Sequence, residues 1–118
     1  MKKPEGKHEP HLIYQSMTIA VARQRKYGIE KHGSIDGWKT TSTIEHLDAA
    51  RRHIDEAIEA VMTGDMHRLI DPDSGQWHYA AAICNLMFEI ERLYCDAIEQ
   101  PSLPKRDINT GGYSGGRE

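Results

Sequence analysis

Long apolar runs, a basic surplus and a usable cysteine pair are all missing from this sequence of 118 residues. Its longest apolar stretch falls far short of the roughly 20 residues that a membrane-spanning helix needs, so no span is expected. Residues 1–10 are polar and charged, without a signal-peptide pattern. A formal net charge of −3 at pH 7 gives no general electrostatic footing for nucleic acid, which calls for a basic surface. Cysteine is limited to Cys84 and Cys95. Both fall on one predicted helix, roughly 16 Å apart along its axis. A disulfide needs Cα atoms within about 7 Å, so reduced thiols in a cytoplasmic protein are expected. There is no internal repeat.

What is present describes one small helical domain. Apolar residues make up 38% and charged residues 28%, enough for a modest core. Small helical hairpins often bury their outer apolar faces against a copy, so a homo-oligomer is expected. Residues 9–27 read as a first helix, with Leu12, Ile13, Met17, Ala20, Val21 and Gln24 on one face and Gly28 as its stop. Residues 28–42 then read as a long loop, either a lid or an interface. Ser42-Thr43-Ile44-Glu45 has the form of a capping box and opens a second helix, which Gly64 ends. Ile44, Leu47, Ile54, Ile58 and Val61 mark its apolar face. Residues 65–72 can hold a short helical turn. Asp73-Ser74-Gly75-Gln76 repeats the capping pattern before a third helix that runs to about Glu99. That helix is apolar around most of its circumference, which predicts burial. The fold class is therefore all-α: a three-helix core with two long antiparallel helices. Residues 1–100 form a single domain and residues 101–118 a flexible tail rich in glycine and proline.

Polar residues recur on both long helices. His46, His53 and Glu56 fall near one stripe of the second; His78, Asn85 and Glu89 fall on one stripe of the third. A polar seam through a helical core costs stability unless its groups are paired or bind something. Asp55 and Glu59 read as a solvated face, whereas Glu56, Asp71, Asp73 and Glu89 are candidates for a hard cation such as Mg²⁺. His53 and His78, with His46, can serve as general base, phosphate donor or metal ligand. His53, His78 and Asp73 can supply three zinc ligands, but no compact signature such as HExxH is present and zinc is not expected. The segment from Asp71 to Gly75 reads as a helix start. It can cap that helix, worth about 1 kcal/mol, or hold a metal-bound phosphate. Arg23, Arg25, Lys26, Arg51 and Arg52 can reach phosphate, and Tyr27 and Trp38 can stack on a base.

One combination of these motifs resembles a known family. Arg25-Lys26-Tyr27-Gly28, Gly37-Trp38, Arg52-His53, Asp71-Pro72-Asp73-Ser74-Gly75, His78 and Asn85 together are similar to a phage-associated family, the dATP/dGTP diphosphohydrolase N-terminal domain. That family is related to the all-α MazG-like nucleotide pyrophosphohydrolases. The resemblance spans about residues 12–95. It implies a MazG-like protein of the host cytoplasm that cleaves a deoxynucleoside triphosphate, or another small nucleotide, between the α and β phosphates with Mg²⁺. On this resemblance Glu56, Asp71, Asp73 and Glu89 gather the metal, and His53, His78 and Glu56 carry the chemistry. Arg25, Lys26, Tyr27, Trp38, Arg52, Ser74 and Asn85 hold the substrate. The MazG-like acidic pattern is altered here: Asp55-Glu56-Ala57-Ile58-Glu59 stands for Glu-Glu-x-x-Glu, and Arg92 replaces the acid expected three residues after Glu89. An alternative reading is thus a nucleotide-binding protein with weak turnover that sequesters a host signalling nucleotide. A third is a helical adaptor whose polar seam fixes register.

Overall fold

Ser42 opens the best-defined helix of the chain. Its hydroxyl accepts the Glu45 N–H while the Glu45 carboxylate accepts the Ser42 N–H, so two otherwise orphaned donors are satisfied. The same hydrogen bonds hold the Glu45 carboxyl below the usual carboxylate range. The computed structural model describes residues 8–99. Three α-helices carry this part of the chain: α1 over Gln15–His32, α2 over Thr43–Thr63 and α3 over His78–Glu99. Short 3₁₀ turns at Pro10–Leu12, Gly37–Thr40 and Met66–Leu69 link them. Among the described residues the only β-type pairing is an isolated bridge between Ile70 and Trp77. Among the described residues no helix is long and apolar enough to cross a membrane. The expected tail, residues 101–118, lies outside the described residues.

α2 and α3 are antiparallel. Thr43 and His46 near the start of α2 meet Glu89 far along α3, and His53 meets His78 at the start of α3. α1 packs beside α3, where the Arg25 guanidinium lies 5.0 Å from the Phe88 ring. The expected stop at Gly64 is present, in the left-handed region at φ 76°. The expected turn between the long helices is also present.

Three local expectations are corrected. Gly28 does not end α1, which continues to His32 and stops at Gly33, the residue with φ 76°. The long loop therefore shrinks to residues 33–42 and contains a 3₁₀ turn. Asp73 does not start α3. Residues 70–77 close on themselves: the Asp71 N–H donates to Gln76 O (2.8 Å), the Gly75 N–H to Asp71 O (2.7 Å) and the Asp73 N–H to Asp71 Oδ1 (2.9 Å). Those bonds spend the segment's capacity locally, and the helix begins only at His78.

The third correction concerns the core. The α2 residues buried within the chain are His46, Ala50, Ala57 and Ala60, while Ile44, Leu47, Ile54, Ile58 and Val61 are exposed. On α3, Ala80, Ala81, Ala82 and Cys84 are buried, but Tyr79, Ile83, Leu86, Met87 and Ile90 are exposed, as is Trp77 just before it. Small residues let α2 and α3 approach closely, and the polar seam takes the space between them. The large apolar stripes are left on the outside of the single chain.

Candidate functional site

The two polar stripes face each other across α2 and α3, and each end of the seam has its own chemistry. At one end Glu89 is saturated. The Thr43 hydroxyl donates to its Oε1 (2.7 Å), His46 Nδ1 to its Oε2 (2.5 Å), and Arg92 Nη2 lies 3.3 Å from the same Oε2. Arg92 also donates to the Thr41 carbonyl (2.6 Å), tying the loop after the 3₁₀ turn to α3. Burial pushes the Glu89 carboxyl up, but the hydrogen bonds from His46 and Thr43 and the charge of Arg92 outweigh it and hold it below the usual value. Glu89 works as an anchor for its neighbours.

At the other end three groups converge. His53 of α2, Asp71 of the linking segment and His78 of α3 each offer one ligand atom within 4.8 Å of the others. His53 Nδ1 and His78 Nδ1 are 2.8 Å apart. His78 is only 7% exposed; His53 and Asp71 are half-buried. Burial first, then the charge of His78, hold the His53 imidazole below its ordinary value, against the opposing pull of Asp71.

A cavity of about 780 Å³ connects these ends. It is within the range of roughly 300–1,000 Å³ typical of small-molecule sites. Arg25, Lys31 and Arg52 line it together with His46, His53, Asp71 and Asp73. Trp38 and Phe88, stacked at 5.2 Å and 4° between planes, form part of its wall. Arg25 is fixed by donating to the Ile35 carbonyl at 3.0 Å.

Nine of the candidate site residues singled out in the sequence line this cavity: Arg25, Tyr27, Trp38, His46, Arg52, His53, Asp71, Asp73 and Asn85. Asn85 donates to the Ala81 carbonyl at 3.0 Å. His78 stands behind His53. The others lie elsewhere. Lys26 lines a separate apolar groove, Ser74 accepts the Gln76 N–H, and Glu56 is at the surface, bonded to Arg68 at 3.1 Å. Glu56, Glu89 and the Asp71–Asp73 segment therefore do not converge, and no four-carboxylate cage forms among them. The third member of the histidine cluster is Asp71, where the sequence suggested Asp73.

Sequence reasoning missed several wall residues. Lys31 falls in the stretch 28–42 that reads as a loop, and Phe88 on the third helix, whose apolar circumference reads as core. Gln24 lines the cavity with its Oε1 buried and no hydrogen-bond donor on it among the described residues. Its place on the inner face of α1 was the available signal. Cys84 also reaches the wall, but burial pushes its thiol up to about 11, which leaves it a packing residue.

No curated protein and no solved structure matches this chain. A family model described as dATP/dGTP diphosphohydrolase, N-terminal, matches residues 1–101, which include every element that frames the cavity. The chain therefore belongs to the dATP/dGTP diphosphohydrolase N-terminal family.

Proposed function

We propose that the protein hydrolyses a purine deoxynucleoside triphosphate to the monophosphate and pyrophosphate in the cavity between the three helices. The observation that carries this reading is the wall itself, where Arg25, Lys31 and Arg52 share one cavity with His53, Asp71 and Asp73. Cations neutralise charge on the triphosphate; Tyr27 and Trp38 offer aromatic faces to the base, and Asn85 an amide. A water oxygen bonds to the α-phosphorus, the bond to the bridging oxygen breaks, and pyrophosphate leaves. His53, Asp71 and Asp73 are the wall groups able to take the proton of that water.

Mg²⁺ needs hard oxygen ligands, commonly one or two carboxylates together with phosphate oxygens. Asp71 and Asp73 supply two carboxylates on the wall, which fits such an ion once the triphosphate contributes the rest. The ion would supply charge neutralisation at the phosphates. The relation to MazG-like all-α pyrophosphohydrolases belongs to the same proposal.

Purified protein incubated with each dNTP and Mg²⁺ or Mn²⁺, followed by chromatography, tests the reading. The expected products are dAMP or dGMP with pyrophosphate, and Arg52→Ala should lower turnover at least tenfold. Recovery of every nucleotide unchanged under both metals would sink it.

The reading includes self-association. Exposed apolar stripes on α2 and α3, and an apolar groove of about 930 Å³ lined by Met17, Val21, Ile29, Ile83, Leu86 and Met87, are faces that a partner can cover. A second copy of the chain is the proposed cover. Sedimentation should show a dimer or larger species that Leu86→Glu shifts toward monomer.

A further inference from the structure

We infer that His53, His78 and Asp71 form a binding site for a transition-metal dication that prefers right-angle coordination, of the Mn²⁺, Fe²⁺, Co²⁺ or Ni²⁺ class. The inference rests on the functional reading in one respect only, that the open side of the ion faces the nucleotide cavity. It also moves His53 and Asp71 from taking a proton or binding Mg²⁺ to holding this ion, and leaves Asp73 for the other two tasks.

The two Nδ1 atoms of His53 and His78 lie 2.8 Å apart. A neutral imidazole has one N–H and one bare nitrogen, so two facing Nδ1 atoms can bond directly only if one is the protonated tautomer and the other is not. Two bare nitrogens pointing together would repel, unless a cation lies between them. Nitrogen ligands bind such metals at about 2.0–2.1 Å, so two at right angles on one ion stand about 2.9 Å apart, whereas tetrahedral neighbours stand about 3.4 Å apart. The observed 2.8 Å lies nearer the right-angle value than the tetrahedral one, and is also the spacing of one ring donating to the other when no ion is bound. The carboxylate of Asp71 completes three ligand atoms that all lie within 4.8 Å of one another, the two-histidine, one-carboxylate set that leaves coordination positions open.

The surroundings supply the support that a metal site needs. His78 is almost wholly buried at the first residue of α3, and Asp71 is pinned by the closed segment 70–77. Asp71 Oδ1 accepts the Asp73 N–H at 2.9 Å, which orients the carboxylate. His53 and Asp71 line the cavity while His78 stands behind them, so the uncommitted positions of an ion here open toward Arg52 and Asp73. Imidazole ligands favour borderline metals over Mg²⁺, which binds oxygen and keeps its waters.

The test uses the full chain, stripped with chelator and titrated with CoCl₂ in the absence of nucleotide. Calorimetry counts the ions and visible absorption reports the coordination. One Co²⁺ per chain is expected, with affinity at least tenfold weaker in both His53→Gln and Asp71→Asn, and no displacement by millimolar Mg²⁺. His53 is half-buried and Asn at position 71 can still accept the Asp73 N–H, so both variants are expected to fold, which circular dichroism checks. His78→Gln is left aside because its side chain is buried. Absence of saturable uptake, uptake unchanged in both variants, or displacement by Mg²⁺ would overturn the site. The two readings fail separately. Tight Co²⁺ binding without cleavage of any dNTP sinks the hydrolase and keeps the metal site; cleavage of a dNTP with Mg²⁺ by the wild-type chain, without saturable Co²⁺ uptake, does the reverse.

Discussion

The two ends of the α2–α3 seam use similar residue types for opposite purposes. At the Glu89 end a carboxylate takes bonds from a hydroxyl and an imidazole, and an arginine spans to two backbone carbonyls, its buried Nε alone lacking a partner among the described residues. At the His53 end two imidazoles and a carboxylate crowd together with only one hydrogen bond between the rings. Cross-linking between elements rigidifies and specifies a fold, whereas ligand atoms that converge from three elements with few bonds among them have capacity left for an ion. The difference lies in the partners, not in the residue types.

Exchanging damage between the ends should break this contrast most visibly. His53→Gln is expected to lower turnover by about 10²–10⁴-fold, the range for losing a group that handles the proton or positions the nucleophile, with little change in unfolding free energy. Glu89→Ala should do the opposite. It strands the buried His46 and the half-buried Arg92, and should cost about 2–4 kcal/mol in urea unfolding while the folded fraction keeps its nucleotide affinity. Equal losses of activity and stability in both variants would show that the two ends are not separate.

Acid should separate them next, in chelator-treated protein. His53 is held below its ordinary value of 6.5, so as pH falls below 6.5 the unfolded chain takes up the proton first and stability declines. Glu89 is held below its ordinary value of 4.5, so its contribution is complete above 4.5 and is lost as pH falls through the lower folded value. Stability should therefore decline in two windows, the upper one abolished by His53→Gln and the lower one by Glu89→Gln. A single decline confined to pH below 4.5 would contradict the burial effect on His53.

The smallest effect concerns Gly28. A Cβ there meets nothing within 4 Å, and glycine inside a helix costs roughly 0.5–1 kcal/mol relative to alanine. Gly28→Ala should therefore stabilise α1 by about that amount. Gly28 also lines the cavity, so the added methyl enters ligand space and should weaken nucleotide binding severalfold. Improved stability with unchanged affinity would place the ligand away from α1.

Gly28 also marks where sequence reading reached its limit. A glycine after Tyr27 looks like a C-terminal stop, but Ile29, Glu30 and Lys31 continue the helix, and the left-handed residue is Gly33. Local signals with mutual confirmation fared better. Ser42 with Glu45 is a reciprocal pair, and it starts α2 as read. The seven-residue spacing of His46 and His53 puts both on one stripe, which meets the stripe of His78 and Glu89, whereas Glu56, read onto the same stripe, lies at the surface with Arg68. The choice of Asp71 over Asp73 was not legible, because it follows from backbone hydrogen bonds that close residues 70–77. Nor was the outward turn of Ile44, Leu47 and Ile58 legible. Hydrophobic periodicity finds a face but does not say whether the same chain or another copy covers it.

The loop between α2 and α3 also bears on the order in which the seam assembles. His53 and His78 are 25 positions apart, whereas His46 and Glu89 are 43 apart. Closing the shorter span is cheaper by about 0.5 kcal/mol of chain entropy, and its contacts form first when the hairpin zips from its turn. The reactive end is then the nucleus and the saturated end the clasp. Folding-rate measurements should accordingly give higher φ-values for Ala57 and Leu69, which pack beside the turn, than for Thr43 at the clasp.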